Sequence, residues 1–510
     1  MVKYYDVERK RNGGMIMCKY GFDNQLYIEK QSSEIQKRIS DLGGKLYLEF
    51  GGKLFDDFHA SRVLPGFAPD SKIQMLKALS DKAEILIAIN AGDIIKNKIR
   101  GDLGITYDQD VLRLIDAFRG FGLFVSTVVI TCYTPQPLVD AFQKKLEKLG
   151  LQVARHYVIE GYPYNVGGIV SENGFGKNDY IKTQRPLVVV TAPGPGSGKL
   201  AVCLSQLYHD NLHGIQAGYA KFETFPIWNL PLKHPVNLAY EAATADLNDV
   251  NMLDPYHLEY YGVTTVNYNR DVEAFPVLNA VFEKISGKSP YHSPTDMGVN
   301  MAGYAIVDDG VCRKASCDEI IRRYYAAKCD LRRDRGTETA VEKIEMLMRQ
   351  LGIGVEDRPC VAAAKARADE TEAPAVAIEL PDGRLVTGRT SELLGPSAAA
   401  LLNAVKGLCN LSRETLLIAR SVIEPIQELK IGSLGNHNPR LHSDEVLIAL
   451  AISAGLGEEA AQAVAKLGEL RGCEAHSTVI LPQVDADIYR KLGIHLTCEP
   501  VFPTKKLYHK

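Results

Sequence analysis

The chain reads as an α/β protein: a mostly parallel sheet with a phosphate-binding-type loop, a helical or loop-rich insertion, and a separate C-terminal α/β domain. Three observations predict this. Between about 40 and 200, short apolar runs alternate with helix-period segments, as in sheets covered by helices on both faces. A glycine-rich turn ending in lysine, at 194–199, joins one such run to a helix. Past Arg335 the composition turns alanine-rich and aromatic-poor, with strands and helices of its own.

Taken in order, 45–50, 84–90, 123–130 and 186–191 read as strands, and 71–79, 108–118 and 138–149 as helices with apolar residues three and four apart. The stretch 225–300 is rich in Pro, Asn, Asp and Tyr and reads as a helical or loop-rich cap. The charge run Arg332-Arg-Asp-Arg335 before Gly336 marks a boundary. Thr339 and Glu342 then form a capping box that opens a helix through Leu351, stopped by Gly352. This gives domains 1–225, 226–336 and 337–510. In the last of them, 370–374 reads as an exposed connection. The runs 375–380 and 384–387 form a hairpin about a Pro-Asp-Gly turn. Helices follow at 396–408, 413–424, 443–455 and 458–470, and strand 477–481, helix 484–492 and strand 494–497 close the chain as a βαβ unit.

At 510 residues the chain exceeds one core, and length alone predicts about three domains. A 46% hydrophobic and 24% charged composition excludes disordered and fibrous classes. The net charge of −3 supplies no basic field for nucleic acid. No apolar run reaches the ~20 residues of a membrane span, and the start has no signal core. The ten cysteines are scattered without a C-x-x-C, which predicts reduced thiols and a cytoplasmic protein.

In the glycine-rich turn, Pro193-Gly-Pro-Gly-Ser-Gly-Lys199 follows a strand and precedes a helix. The N–H groups of Gly194, Gly196, Ser197 and Gly198, the Lys199 ammonium and the helix N-terminus all favour an anion at one spot. Against the pattern G-x-x-x-x-G-K-[ST], Pro193 replaces the first glycine and Leu200 the Mg²⁺-binding hydroxyl. A plain strand-to-helix turn is the alternative. Over about ten residues the run resembles the loop of adenylate-kinase-like nucleotide phosphotransferases. A second candidate is Leu48-Glu-Phe-Gly-Gly-Lys-Leu-Phe-Asp-Asp, followed by His59 and Arg62. There Gly51 and Gly52 admit a ligand close to the backbone. Lys53 and Arg62 would clamp an anionic group and Asp57 or His59 would handle a proton; a turn with a solvated helix start explains the same residues.

These two runs with Cys473-Glu-Ala-His-Ser resemble, nearly end to end, an uncharacterised bacterial family of roughly 500-residue proteins. It is a domain of unknown function with a degenerate phosphate-binding loop. The resemblance implies a cytoplasmic bacterial setting and a multidomain α/β build, and no reaction.

Other runs carry weaker signals. The stretch 161–177, with five glycines, is a candidate lid. His209 and His213, four apart, have metal-ligand spacing, and Asp246 and Asp249 are placed to hold a cation beside phosphate. His442-Ser-Asp-Glu445 and Cys473-Glu-Ala-His476 have metal-compatible spacing, but the zinc-deaminase signatures are absent and 443–445 suits a helix start. The reading is a nucleotide- or phosphometabolite-binding protein, an enzyme of the phosphoryl-transfer or hydrolase class, with Lys199, Lys53, Asp57 and His59 in catalytic roles. One alternative is a non-catalytic nucleotide-binding sensor or scaffold that oligomerises; another is a metal-dependent hydrolase or deaminase centred on Cys473 and His476. The expected cofactors are ATP or GTP with Mg²⁺ and no zinc. The expected partners are a small phosphorylated ligand and further copies of the chain, with neither nucleic acid nor membrane.

Overall fold

The computed structural model describes residues 20–52, 54–55, 57–100, 103–247 and 249–504. The chain forms two compact units, Met1–Tyr240 with Asp249–Ser316, and Glu241–Asn248 with Cys317–Lys510. They divide within the uninterrupted helix Asp309–Arg332, ahead of the charge run at 332–335.

The first unit holds strands β1 (Leu46–Phe50), β2 (Ala83–Asn90), β3 (Ile99–Arg100), β4 (Ile105–Thr106), β5 (Phe124–Tyr133), β6 (Gln152–Tyr157), β7 (Leu187–Thr191), β8 (Gly218–Phe222), β9 (Asn251–Leu253), β10 (Val266–Tyr268) and β11 (Gly298–Val299). Seven make one sheet in the order β11-β8-β1-β7-β2-β5-β6, with every neighbouring pair parallel. A parallel sheet needs both faces covered, which is why its central strands are continuous apolar runs. β7 is buried throughout, and β2 is buried from Ala83 through Ile89. β3 pairs with β4, and β9 with β10, as short antiparallel ribbons.

Chain order in the sheet reverses beside β1. The connection leaving β1 runs toward β2, and the one leaving β7 runs the other way, toward β8. Right-handed crossovers in opposite directions lie on opposite faces, so the loops that follow β1 and β7 part and leave a crevice at the strands' carboxyl ends. Helix Lys199–Leu212, which follows β7, packs Val202, Cys203 and Leu207 on the face bearing Tyr47, Val188 and Val190. Its far end is pinned by Asp210, whose carboxylate accepts from Tyr47 and Tyr180 and pairs with Lys45 at 2.6 Å.

The second unit carries β12 (Ala375–Glu379), β13 (Leu385–Arg389), β14 (Glu474–Ser477) and β15 (His495–Cys498) in the order β13-β12-β14-β15. β12 is antiparallel to both neighbours and β14–β15 is parallel. The hairpin turns at Gly383, whose φ of 83° needs glycine. Helices Pro396–Leu408, Ser443–Ala454, Glu458–Lys466 and Gln483–Leu492 enclose the apolar core on one face.

Several expectations need correction. The helix opening this region starts at Glu338, capped by Thr337, whose hydroxyl accepts from Ala340 N; Gly352 stops it as expected. The expected connection at 370–374 is shorter than expected: helix Pro359–Thr371, with Cys360 and Ala364 buried against Ala377, takes its first two residues, and 372–374 make the link to β12. Helix 413–424 forms only as Arg420–Glu428. Strand 477–481 is displaced to β14, where Ala475 meets Ile378 in the core. The cap at 225–300 also gives the sheet an edge strand, β11.

Candidate functional site

The crevice is bordered by the turn after β7. Two left-handed glycines, Gly196 (φ 78°) and Gly198 (φ 83°), flank Ser197. The carbonyls of this turn are tied down from behind. Asn90 Nδ2 donates to Gly196 O at 3.4 Å, and Thr131 Oγ1 donates to Ser197 O at 2.8 Å. In a trans peptide the C=O and the following N–H point opposite ways, so these anchors turn the N–H groups of Ser197 and Gly198 away from β2 and β5. Alternating backbone of this kind forms a concave run of N–H groups that accepts anions. Gly198 N-caps helix Lys199–Leu212, and no side chain caps its first turn. The leading N–H groups of that helix are thus open to a ligand or water. Lys199 is its first residue, half-buried.

The other loop residues have structural work. The Ser197 hydroxyl donates to Gly194 O at 3.0 Å, closing the turn. A Cβ on Gly194 would come within 2.3 Å of the Tyr107 hydroxyl, so this glycine is required by packing.

After β1, Gly51 has open space where a Cβ would stand, and Gly52 sits at φ 74° beside Lys72. Lys53 lies outside the described residues. Asp57 N-caps the short helix Phe58–Val63 and pairs with Lys72 at 2.8 Å. Burial would raise the Asp57 carboxyl, but the adjacent ammonium outweighs it and holds the group below its ordinary value. A carboxylate held ionised in this way is a poor proton carrier. His59 lies edge-on to Phe225 and Tyr240 at 5.3 and 5.5 Å, and Arg62 is in the last turn of the same helix.

Beside this loop is a charged cluster without a sequence motif. Lys221 on β8 stands in register with Glu49 on β1. Its ammonium contacts Asp271 and lies 2.8 Å from Glu223. Burial pushes the Glu223 carboxyl up, and the Lys221 charge only partly offsets it.

The candidate metal pairs do not assemble as expected. Asp246 is exposed on a turn that ends at Leu247, while Asp249 is buried and gives its two oxygens to Arg270 at 2.6 and 2.7 Å. The His213 ring bonds back to His209 O at 2.7 Å and stacks on Tyr180. The candidate lid is anchored by Ile169 and Phe175 in the core, with Gly174 wedged against Gly168 O and Ile169 O. In the second unit, Cys473 faces the apolar core whereas His476 lies on the opposite face, in register with Ala377. The two cannot share an ion. His442 N-caps helix Ser443–Ala454 and holds Asp485 at 2.9 Å.

Residues 20–352 match the family model described as domain of unknown function DUF1846, N-terminal, and 356–508 its C-terminal counterpart. The chain belongs to the DUF1846 family. Among its relatives, UPF0371 protein stu1377 of Streptococcus thermophilus is 58% identical over 494 residues, spanning 97% of this chain and 100% of the relative. UPF0371 protein SUB1165 of Streptococcus uberis matches to the same extent. UPF0371 protein SpyM50764 of Streptococcus pyogenes is 58% identical over 489 residues, 96% of this chain and 99% of its own. Among the described residues of this DUF1846 chain, no helix is long and apolar enough to cross a membrane.

One buried group in the N-terminal DUF1846 region makes an acid-stability test. Burial pushes the His156 imidazole on β6 down from 6.5 to about 3. Between those values the unfolded chain takes up a proton that the fold refuses. The stability contribution is therefore complete above pH 6.5 and declines as pH falls. The expected loss from this group between pH 7 and pH 5 is about 2 kcal/mol, read as a lower urea midpoint. His156→Phe should lack that component; an equal acid loss in the variant would contradict the assignment.

Proposed function

We propose that this protein binds a small phosphorylated ligand, a nucleotide or phosphometabolite, at the turn 194–199, and that it is an enzyme of the phosphoryl-transfer or hydrolase class. The observation that carries the reading is the pair of tied carbonyls at Gly196 and Ser197, which leaves consecutive N–H groups facing an uncapped helix N-terminus beside Lys199. Such donors stabilise charge that develops on phosphoryl oxygens. On the short helix that follows β1, His59 would act as a proton carrier and Arg62 as a second anion contact. Mg²⁺ would need carboxylates in place of the hydroxyl absent at Leu200.

Calorimetric titration with ATP, GTP and a sugar phosphate, with and without Mg²⁺, tests the reading. Saturable binding of one of them is expected, followed by release of phosphate or of a phosphorylated product under turnover. Binding without turnover would favour the sensor or scaffold, and no binding of any would refute both. Leu200→Thr restores the missing hydroxyl; stronger Mg²⁺ dependence in that variant is expected if the turn descends from a nucleotide-hydrolysing loop.

A further inference from the structure

Glu49 is the second-to-last residue of β1, directly beside β7, the strand that runs into the glycine turn; its register partner there is Val190. Paired residues in parallel strands share a face, so Glu49 and Val190 both lie on the side covered by helix Lys199–Leu212. The buried Cys203 thiol of that helix senses both groups. Burial raises it most, the Glu49 carboxylate raises it further and the Lys199 ammonium lowers it. Glu49 and the head of the helix thus border one region.

The carboxylate is held rigidly. Tyr219 donates its hydroxyl to Glu49 Oε2 at 2.8 Å. Tyr219 is itself 2% exposed, and its backbone is clasped by the Tyr291 hydroxyl, which accepts from Tyr219 N at 2.8 Å and donates to Tyr219 O at 2.5 Å. Glu49 has no ion pair among the described residues and is itself half-buried; Lys221 adds only longer-range attraction. A fixed carboxylate whose other oxygen takes no hydrogen bond among the described residues, on the strand next to a glycine turn, is placed to accept hydrogen bonds from hydroxyls of a ligand whose phosphate sits in the turn. The same relation lets an acidic side chain read a ribose in dinucleotide-binding sheets.

We propose that the ligand held at the glycine turn carries vicinal hydroxyls, as a ribose-like or polyol phosphate does, and that Glu49 reads them. This rests on the phosphate reading above. A buried charged hydrogen bond contributes enough to change affinity roughly tenfold or more, which sets the scale of the test.

Calorimetry on the full chain would compare inorganic phosphate, ribose 5-phosphate and 2-deoxyribose 5-phosphate, with wild type and with Glu49→Gln. Wild type is expected to bind ribose 5-phosphate about tenfold tighter than inorganic phosphate, with the deoxy sugar between. Glu49→Gln should remove that preference while its affinity for inorganic phosphate stays within about twofold. The comparison of ligands on wild type needs no variant, so a misfolded variant does not spare the proposal. Inorganic phosphate bound with no hydroxyl preference would overturn this inference alone. Phosphate binding that requires Mg²⁺ and is lost in Glu49→Gln would also overturn it, making Glu49 a cation ligand. Failure of all three ligands to bind would overturn the phosphate reading and this one together.

Discussion

Lys199→Ala should weaken binding of a phosphorylated ligand roughly ten- to a hundredfold, with little change in stability. The ammonium makes a charge-assisted contact of about 1.5–3 kcal/mol, and 1.4 kcal/mol is tenfold in affinity. The side chain is half-buried at the first position of its helix, and neither the tied carbonyls nor the core residues Val202 and Cys203 depend on it. Calorimetry reads the affinity and thermal unfolding the stability. Equal affinity in wild type and variant would mean that the turn is only a connection between strand and helix.

Arg358→Ala should destabilise the C-terminal unit by about 3–5 kcal/mol, the range for removing one partner of a buried ion pair. Arg358 is 2% exposed. Its guanidinium reaches Glu474 at 2.5 Å, the Thr497 hydroxyl, and the carbonyls of His495 and Ala475. Burial alone would raise the Glu474 carboxyl. The hydrogen bond from His495 and the charges of Arg322 and Arg358 outweigh it and hold the group near 2. The network's contribution is therefore complete above about pH 4.5 and is lost as pH falls toward 2. Urea unfolding at neutral pH measures the loss, and Arg358→Met separates it from lost packing by keeping most of the volume. A loss under about 1 kcal/mol in both variants would show the network to be an exposed-type pairing.

The sheet was legible because parallel strands are apolar on both faces: 84–90 and 186–191 stand out from any neighbour. β6 was missed because Gln152, Arg155 and His156 interrupt its apolar pattern, as fits the edge of a sheet. β8 escaped for a related reason, since Lys221 enters the charged cluster on its partly exposed face. In the second unit, Thr337 and Thr339 both suit a cap, and only the backbone decides between them.

The crevice divides in the same way. The glycine turn was visible because glycine and lysine in that order are rare outside tight turns and anion sites. Its anchors were invisible: Asn90 and Thr131 lie 106 and 66 residues before their partners, and only the sheet order brings them to Gly196 and Ser197. Glu49 lies within the run Leu48–Asp57, yet its Tyr219 partner lies 170 residues away. Asp57 looked available in sequence because nothing there reveals that Lys72 occupies it.

The most direct test of the central claim is the backbone amide spectrum of protein labelled with ¹⁵N at glycine, recorded as inorganic phosphate is added. If the tied turn receives the anion, the Gly198 amide should move downfield as its N–H begins to donate to phosphate, with Gly196 responding beside it and glycines of the C-terminal unit such as Gly383 unmoved. Shifts confined to other glycines, or none at phosphate concentrations that saturate any calorimetric signal, would contradict it.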